Sequence, residues 1–244
     1  MLYTLCMKNK IIAQQQNVLK ALSGRIDDFY LAGGTALSLF YFQHRISVDL
    51  DFFTRQFDYQ KITGTVRYLE SALKKKIDLI GSNLDRKTAQ MAVYAIHFTA
   101  QDALKIDFVE DTVDLMKKTK VVDGIRILSL EDIYVRKLYA LAGMVRSIDE
   151  TGRGKFLGGR ADAKDFYDVY CLSHTFMPLS KFLPSHCGRT VVEAVIRWYR
   201  TFNRMKMMAG VLNLVTTRAV DYKAQEKHFK QEVDKLIELE IGGV

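Results

Sequence analysis

Asp49 and Asp51, one residue apart in VDLDFFT, are the side chains of this sequence best equipped for chemistry. The segment alternates with the period of a half-buried strand: Val48, Leu50 and Phe52 to one side, Asp49, Asp51 and Phe53 to the other. Two carboxylates projecting side by side repel each other unless a cation or solvent intervenes. They are therefore candidate ligands for one or two divalent cations, hard ions that prefer carboxylate oxygens. A second alternating stretch, LKIDFVED, places Leu104, Ile106 and Phe108 together and Asp107 opposite them. If the two strands are neighbours, Asp107 completes a three-carboxylate site for Mg²⁺. The competing reading is a strand that ends at the solvent, with Asp107 an ordinary exposed residue.

Upstream, Gly33-Gly34-Thr35 follows a short apolar strand and opens an apolar helix. Glycines let backbone approach a phosphate closely, and a helix start points its N–H groups at the anion. A phosphate cradle followed by a carboxylate pair is the equipment for handling a nucleoside triphosphate with magnesium.

Three further groups stand out. On a helical projection Lys137 lies within about 40° of Leu130, Ile133, Leu141 and Met144, in the centre of an apolar stripe. A buried ammonium is costly, so Lys137 either snorkels to water or meets an anion. Lys164, Asp165 and Asp168 share one side of a later helix; the plain reading is a solvated face with an intrahelical ion pair worth about 0.2–0.5 kcal/mol. Residues 194–220 hold no acid but carry Arg197, Arg200, Arg204, Lys206 and Arg218. The first three recur along one helical face, with Trp198, Tyr199 and Phe202 interleaved, so that face either tracks an RNA backbone or simply flanks the helix core.

These side chains need a scaffold, and the pattern supplies one. An opening helix ends at Gly24; another spans 59–76; β-rich stretches lie near 77–81, 90–99 and 103–109; and VVDGIRIL reads as a hairpin turning on Asp123-Gly124. From SLEDIYVRKLYALAGMV onward the chain turns helical, opening with Ser129 and Asp132 at capping-box spacing. A glycine-rich loop (Gly152, Gly154, Gly158, Gly159, with Arg153, Lys155 and Arg160) either closes over phosphates or only joins helices. Pro178 and Pro184 bracket a break, and long helices are expected around 189–206 and 218–240. Two domains follow, 1–128 and 129–244.

Composition narrows the class. With 48% hydrophobic and 26% charged residues the 244-residue chain is neither disordered nor fibrous. Cys6, Cys171 and Cys187 are too few and too scattered for a disulfide framework or zinc ribbon, and the histidines show no metal spacing. No apolar run is long enough to span a membrane and the N-terminus lacks secretory order, so a cytoplasmic protein with no membrane partner is expected. Of the net charge of +8, four units fall in 171–244, which points to an anionic partner on the C-terminal helices.

LAGGTALSLFYFQHRISVDLDFF resembles the first motif of the AbiEii/AbiGii-type nucleotidyltransferase toxins, a branch of the DNA-polymerase-β-like nucleotidyltransferase superfamily. The superfamily's glycine pair, D-x-D and later acid fall on Gly33-Gly34, Asp49/Asp51 and Asp107, and the family's HRxSxDLDF wording on His44, Arg45, Ser47 and Asp49–Phe52. SLEDIYVRKLYAL resembles the motif whose lysine is required for activity, here Lys137; RADAKDFYDVYCL resembles the KDxxDxxxL signature, with Asp165 the better match to its essential acid and Asp168 second. The resemblance implies an α+β fold: a nucleotidyltransferase-type mixed β-sheet with flanking helices, then a C-terminal helical lobe, with the active site in the cleft between them.

It further implies transfer of a nucleotide from an NTP to an acceptor, most readily tRNA, with pyrophosphate released. Asp49, Asp51 and Asp107 would hold Mg²⁺, with Mn²⁺ as a substitute, and Asp107 would orient or deprotonate the attacking hydroxyl. Gly33, Gly34, Thr35, Arg45, Ser47, Lys164 and Asp168 would bind nucleotide. Lys137 would neutralise the triphosphate, and Asp165 would position Lys137 or the acceptor. A cognate antitoxin would restrain the enzyme. Transfer to a protein or small-molecule hydroxyl, or a relative that binds nucleotide or RNA without catalysis, are the alternatives.

Overall fold

The computed structural model describes residues 2–99, 103–143, 145–148, 154–157 and 159–242. The chain forms two compact units: Met1–Tyr41 with Ile46–Ser129, and Phe42–Arg45 with Leu130–Val244. Four residues from the first half of the sequence thus belong to the second unit.

In the first unit, helix α1 (Leu2–Leu22) leads to a two-residue strand β1 (Tyr30–Leu31), then to α2 (Gly33–Ala36), which runs on as a π-type turn over Leu37–Tyr41. Strand β2 (Asp49–Thr54) is followed by α3 (Tyr59–Leu73), capped by the Asp58 carboxylate on the Gln60 and Lys61 amides. Strands β3 (Ile77–Asn83), β4 (Met91–His97), β5 (Ala103–Glu110), β6 (Lys120–Val122) and β7 (Ile125–Ile127) complete a seven-stranded mixed sheet of order β3-β4-β5-β2-β1-β7-β6. The β6–β7 turn is closed by Asp123 and Gly124, both at positive φ, as a tight hairpin requires.

The core of this unit explains the strand faces. Leu50 and Phe52 of β2, Ile106 and Phe108 of β5, and Tyr94 and Ile96 of β4 are buried, as are Val18 and Leu22 of α1 and Ile62, Val66 and Leu69 of α3. Phe108 stacks on Phe52 and meets Phe29 edge-on. Val48 departs from the expected alternation: it precedes β2 and is exposed.

The second unit carries α4 (Leu130–Ala142), a hairpin of β8 (Val145–Ile148) and β9 (Gly154–Leu157), α5 (Ala163–Cys171) with a π-type extension over Leu172–Phe176, α6 (Leu179–His186), α7 (Arg189–Thr201), α8 (Arg204–Leu212) and α9 (Tyr222–Gly242). Phe166 sits at the centre of its core, in ring contact with Trp198, Phe202, Tyr222 and Phe229. Gly159 is held there by contact: any Cβ would collide with the Leu141 carbonyl, where Arg160 N–H bonds the Ala140 carbonyl at 2.9 Å.

Three expectations are corrected here. The unit is not wholly helical, because Gly154–Leu157 of the glycine-rich connection pairs as a strand with Val145–Ile148; these four-residue strands are too short to show a period. Met144, Gly152, Arg153 and Gly158 lie outside the described residues, as do the side chains of Lys155 and Cys6. The helix expected over 189–206 is two helices: Phe202 is extended and packs on Phe166, and Asn203 caps α8 by accepting the Lys206 amide. The break between the prolines is instead α6, which keeps Pro184 inside it because Leu179, Phe182 and Leu183 are fully buried. Cys171 and Cys187 are buried and free. Among the described residues no helix is long and apolar enough to cross a membrane.

Candidate active site

Strands β2 and β5 are parallel, with Asp49 opposite Lys105 and Asp51 opposite Asp107. Because Leu50, Phe52, Ile106 and Phe108 are pinned in the core, the alternate residues Asp49, Asp51, Lys105 and Asp107 must share the other face. Asp107 is only 9% exposed, so the reading of it as an ordinary solvent residue fails. Its Oδ2 accepts from Lys105 Nζ at 2.9 Å, while its Oδ1 is buried with no hydrogen-bond partner. Burial pushes the Asp107 carboxyl up; Lys105 pulls it down, and the charge of Asp49 pushes it up again, leaving it raised. Burial works against the Lys105 ammonium too, but the hydrogen bond to Asp107 and the charges of Asp107, Asp49 and Asp51 prevail and raise it.

Among the described residues no three His, Cys, Asp or Glu side chains are gathered into a ready metal cage. The donor chemistry nevertheless fits a hard divalent ion. Three carboxylates share one face, and one buried oxygen among them has no partner.

The glycine motif borders the same strand. Gly33 has φ +67°, and a Cβ there would lie 2.5 Å from Asp51 Oδ2, so glycine is doubly required. Thr35 is fully buried, and its hydroxyl donates to the Asp49 carbonyl, pinning α2 to β2. Any contact of Thr35 with phosphate would be through its backbone. Ser47 offers its carbonyl to Gln15 Nε2 at 2.8 Å, which fixes the approach to β2.

The second unit holds a different cluster. Asp168 is wholly buried, and its two oxygens accept four hydrogen bonds: from His44 Nε2 at 2.7 Å and Arg45 Nε at 2.6 Å on Oδ1, and from Arg45 Nη2 at 2.8 Å and Lys137 Nζ at 2.7 Å on Oδ2. Lys137 Nζ also donates to Asp165 Oδ1 at 2.7 Å, and Arg160 lies 3.3 Å from Asp165 Oδ2. Lys137 therefore meets anions instead of snorkelling to water, and the solvated-face reading of Asp165 and Asp168 is overturned. Burial opposes ionisation of Asp168, but Lys137 and Arg45 outweigh it and hold the carboxyl well below the ordinary range. Lys137 and Arg45 are raised in turn, burial being overcome by Asp168 and Asp165. Residues 42–45 are anchored by the Thr217 amide on the His44 carbonyl and an Arg45–Thr216 bridge. Lys164 is exposed, apart from this cluster.

The arginine stripe divides. Arg204, on α8, lies over the Phe202 and Tyr199 rings at 4.0 and 4.6 Å and pairs with Glu226 at 2.9 Å. Arg197 and Arg200 on α7 line a groove of about 510 Å³ with Ile196, Ile237 and Ile241. Trp198, Tyr199 and Phe202 are buried, serving the core.

Two participants carry no role in the sequence reading. Lys105 was legible, since it stands two residues before Asp107 and shares its face. His44 was legible only as a motif letter; its bond to Asp168 spans 124 residues.

Residues 17–241 match the family described as the nucleotidyl transferase AbiEii toxin of a type IV toxin–antitoxin system. The chain belongs to the AbiEii family. It is accordingly a nucleotidyltransferase, with an NTP substrate and a cognate antitoxin implied by the toxin–antitoxin family. Two solved structures share the AbiEii chain's fold. One is JHP933 from Helicobacter pylori, at 18% identity and TM-score 0.57, covering 97% of this chain and 95% of that one. The other, an H. pylori protein provisionally described as a nucleotidyltransferase, has 17% identity and TM-score 0.58, with 95% and 93% covered. No curated protein matches significantly.

Proposed function

We propose that this AbiEii-family enzyme is metal-dependent and transfers a nucleotide from an NTP to tRNA in the cytoplasm. The observation that carries the reading is the register of β2 on β5, which puts Asp49, Asp51 and Asp107 on one sheet face beside the Gly33 helix start. Those carboxylates would hold Mg²⁺ or Mn²⁺, which would stabilise charge on the phosphates and align them. The helix start at Gly33-Gly34 presents backbone N–H groups to the triphosphate. Asp107, whose Oδ1 is buried without a partner, would orient or deprotonate the attacking hydroxyl as that oxygen bonds the α-phosphorus and pyrophosphate departs. The roles of Lys137 in neutralising the triphosphate and of Asp165 in positioning Lys137 or the acceptor rest on the family resemblance. So do the contributions of Arg45, Ser47 and Lys164 to nucleotide binding, whereas Asp168, its oxygens taken by His44, Arg45 and Lys137, would contribute only by holding those side chains.

The test is incubation with Mg²⁺, each labelled NTP in turn, and total tRNA. Label should appear on RNA with the native protein and vanish with Asp49→Ala. Label on a protein or small-molecule fraction instead would replace the acceptor. No transfer to any fraction, from folded protein that also binds no NTP, would overturn the reading.

A further inference from the structure

We propose that Lys105 is a resident counter-cation of the carboxylate face: its ammonium occupies Asp107 until a divalent ion displaces it, and it thereby sets the metal affinity. The inference rests on the metal-site reading above, and it assigns Lys105 a positioning role that neither motif nor family wording supplies.

Position comes first. Lys105 stands opposite Asp49 and two residues before Asp107, so the sheet register forces its side chain onto the face of the three acids. Its Nζ lies 2.9 Å from Asp107 Oδ2, and the charges of all three carboxylates act on it. Without that ammonium the Asp107 carboxylate, nine-tenths buried, would lose its ion pair on one oxygen while the other has no partner. Lys105 therefore supplies the compensation for Asp107 in the metal-free sheet.

A divalent ion at Asp107 would supply the same compensation with twice the charge. Cation and ammonium would then repel across the carboxylate they share, so one must leave. Lys105 can leave at little cost. Its side chain is 39% exposed, its stem is flexible, and a swing to water disturbs no core residue. Lys137 makes the opposite case: its ammonium is fixed between Asp165 and Asp168, with side-chain exposure of only 11%.

The test measures Mn²⁺ binding to the full chain without nucleotide, by electron paramagnetic resonance of free Mn²⁺. Lys105→Met removes the charge and keeps the stem; it should bind Mn²⁺ about tenfold more tightly than native protein. Its metal-free melting temperature should fall and its Mn²⁺-induced rise should grow. Lys105→Arg keeps the charge and should bind like the native protein. Equal or weaker binding by folded Lys105→Met, or binding by Lys105→Arg as tight as by Lys105→Met, would overturn the role of Lys105 and leave the metal site standing. Absence of Mn²⁺ binding in native and variant proteins alike would overturn the metal site and the displacement with it.

Discussion

Asp107 in the first unit and Asp168 in the second are both buried carboxylates, yet burial has opposite outcomes for them. Asp168 has every lone-pair direction used, by His44, twice by Arg45 and by Lys137, and its carboxyl is held far below the ordinary range. Asp107 has one partner, Lys105, and an empty oxygen, and its carboxyl is raised. Asp165 and Asp168 are met by Arg45, Lys137 and Arg160, so the acids of that cluster are matched by cations. On the β2–β5 face three carboxylates share one side, and the buried Oδ1 of Asp107 has no partner. A saturated acid braces a fold; an undersaturated one is a place for a ligand to arrive.

Removing each acid in turn is the strongest way to break this comparison. Asp168→Asn leaves Arg45 and Lys137 buried with too little counter-charge, and unfolding free energy should fall by about 3–5 kcal/mol. Trp198 is the sole tryptophan and lies in the same unit, so its fluorescence in a urea titration reads that loss directly. Asp49→Asn relieves repulsion on the shared face instead, and stability should stay level or rise. Nucleotide transfer by Asp49→Asn should nevertheless drop by about a thousandfold, the equivalent of several kcal/mol of lost charge stabilisation. The contrast fails if Asp49→Asn unfolds the protein or if Asp168→Asn leaves the urea midpoint unmoved.

The same contrast explains which parts were legible in the sequence. The carboxylate face follows from a period of two, because Leu50, Phe52, Ile106 and Phe108 can occupy only the core and force Asp49, Asp51 and Asp107 to the other side. That period is local, and one strand pairing turns it into a site. The Asp168 cluster has no such local signature: its partners His44 and Arg45 lie 124 and 123 residues away, and within its own helix only Lys164 is in reach. The position of Lys137 in an apolar stripe announces that its charge must be met, but not by which acid. Helix ends were lost for the same reason. Phe202 stops α7 to reach Phe166, a tertiary contact that outweighs the helical pattern running through it.

Acid provides a second, milder separation. The Asp168 carboxyl is depressed in the folded state, so its stabilisation is complete above its ordinary pKa of about 4 and is lost as pH falls through the depressed value. Arg45 and Lys137 are raised, so their share persists below their ordinary values and is lost only in strong alkali. Asp107 behaves in the reverse sense: raised in the fold, it favours the folded state more as pH falls from above its folded pKa toward its ordinary one. As pH falls toward about 4, protection factors should therefore rise or hold at β5 while remaining level at α5, and below about pH 4 α5 should lose protection. Protection lost at β5 before α5 on acidification would contradict the assignment of the two carboxylates.

The smallest expected effect tests the comparison inside the second unit. Arg204 is committed to the structure by two aromatic faces and Glu226, whereas Arg197 and Arg200 stand at an accessible groove beside Ile196, Ile237 and Ile241. If an RNA acceptor lies against this face, Arg197→Gln with Arg200→Gln should weaken acceptor use several-fold and lower the salt slope of RNA binding by about 0.7 for each lost phosphate contact on a single strand. NTP binding should not change. Arg204→Gln should instead lower the Trp198 unfolding midpoint, through loss of stacking and an ion pair, while leaving that slope intact. Equal loss of salt slope in both variants would restore a three-arginine stripe despite the break after α7. No change in either would move the acceptor away from α7, and the four excess positive charges of 171–244 would then serve solubility alone.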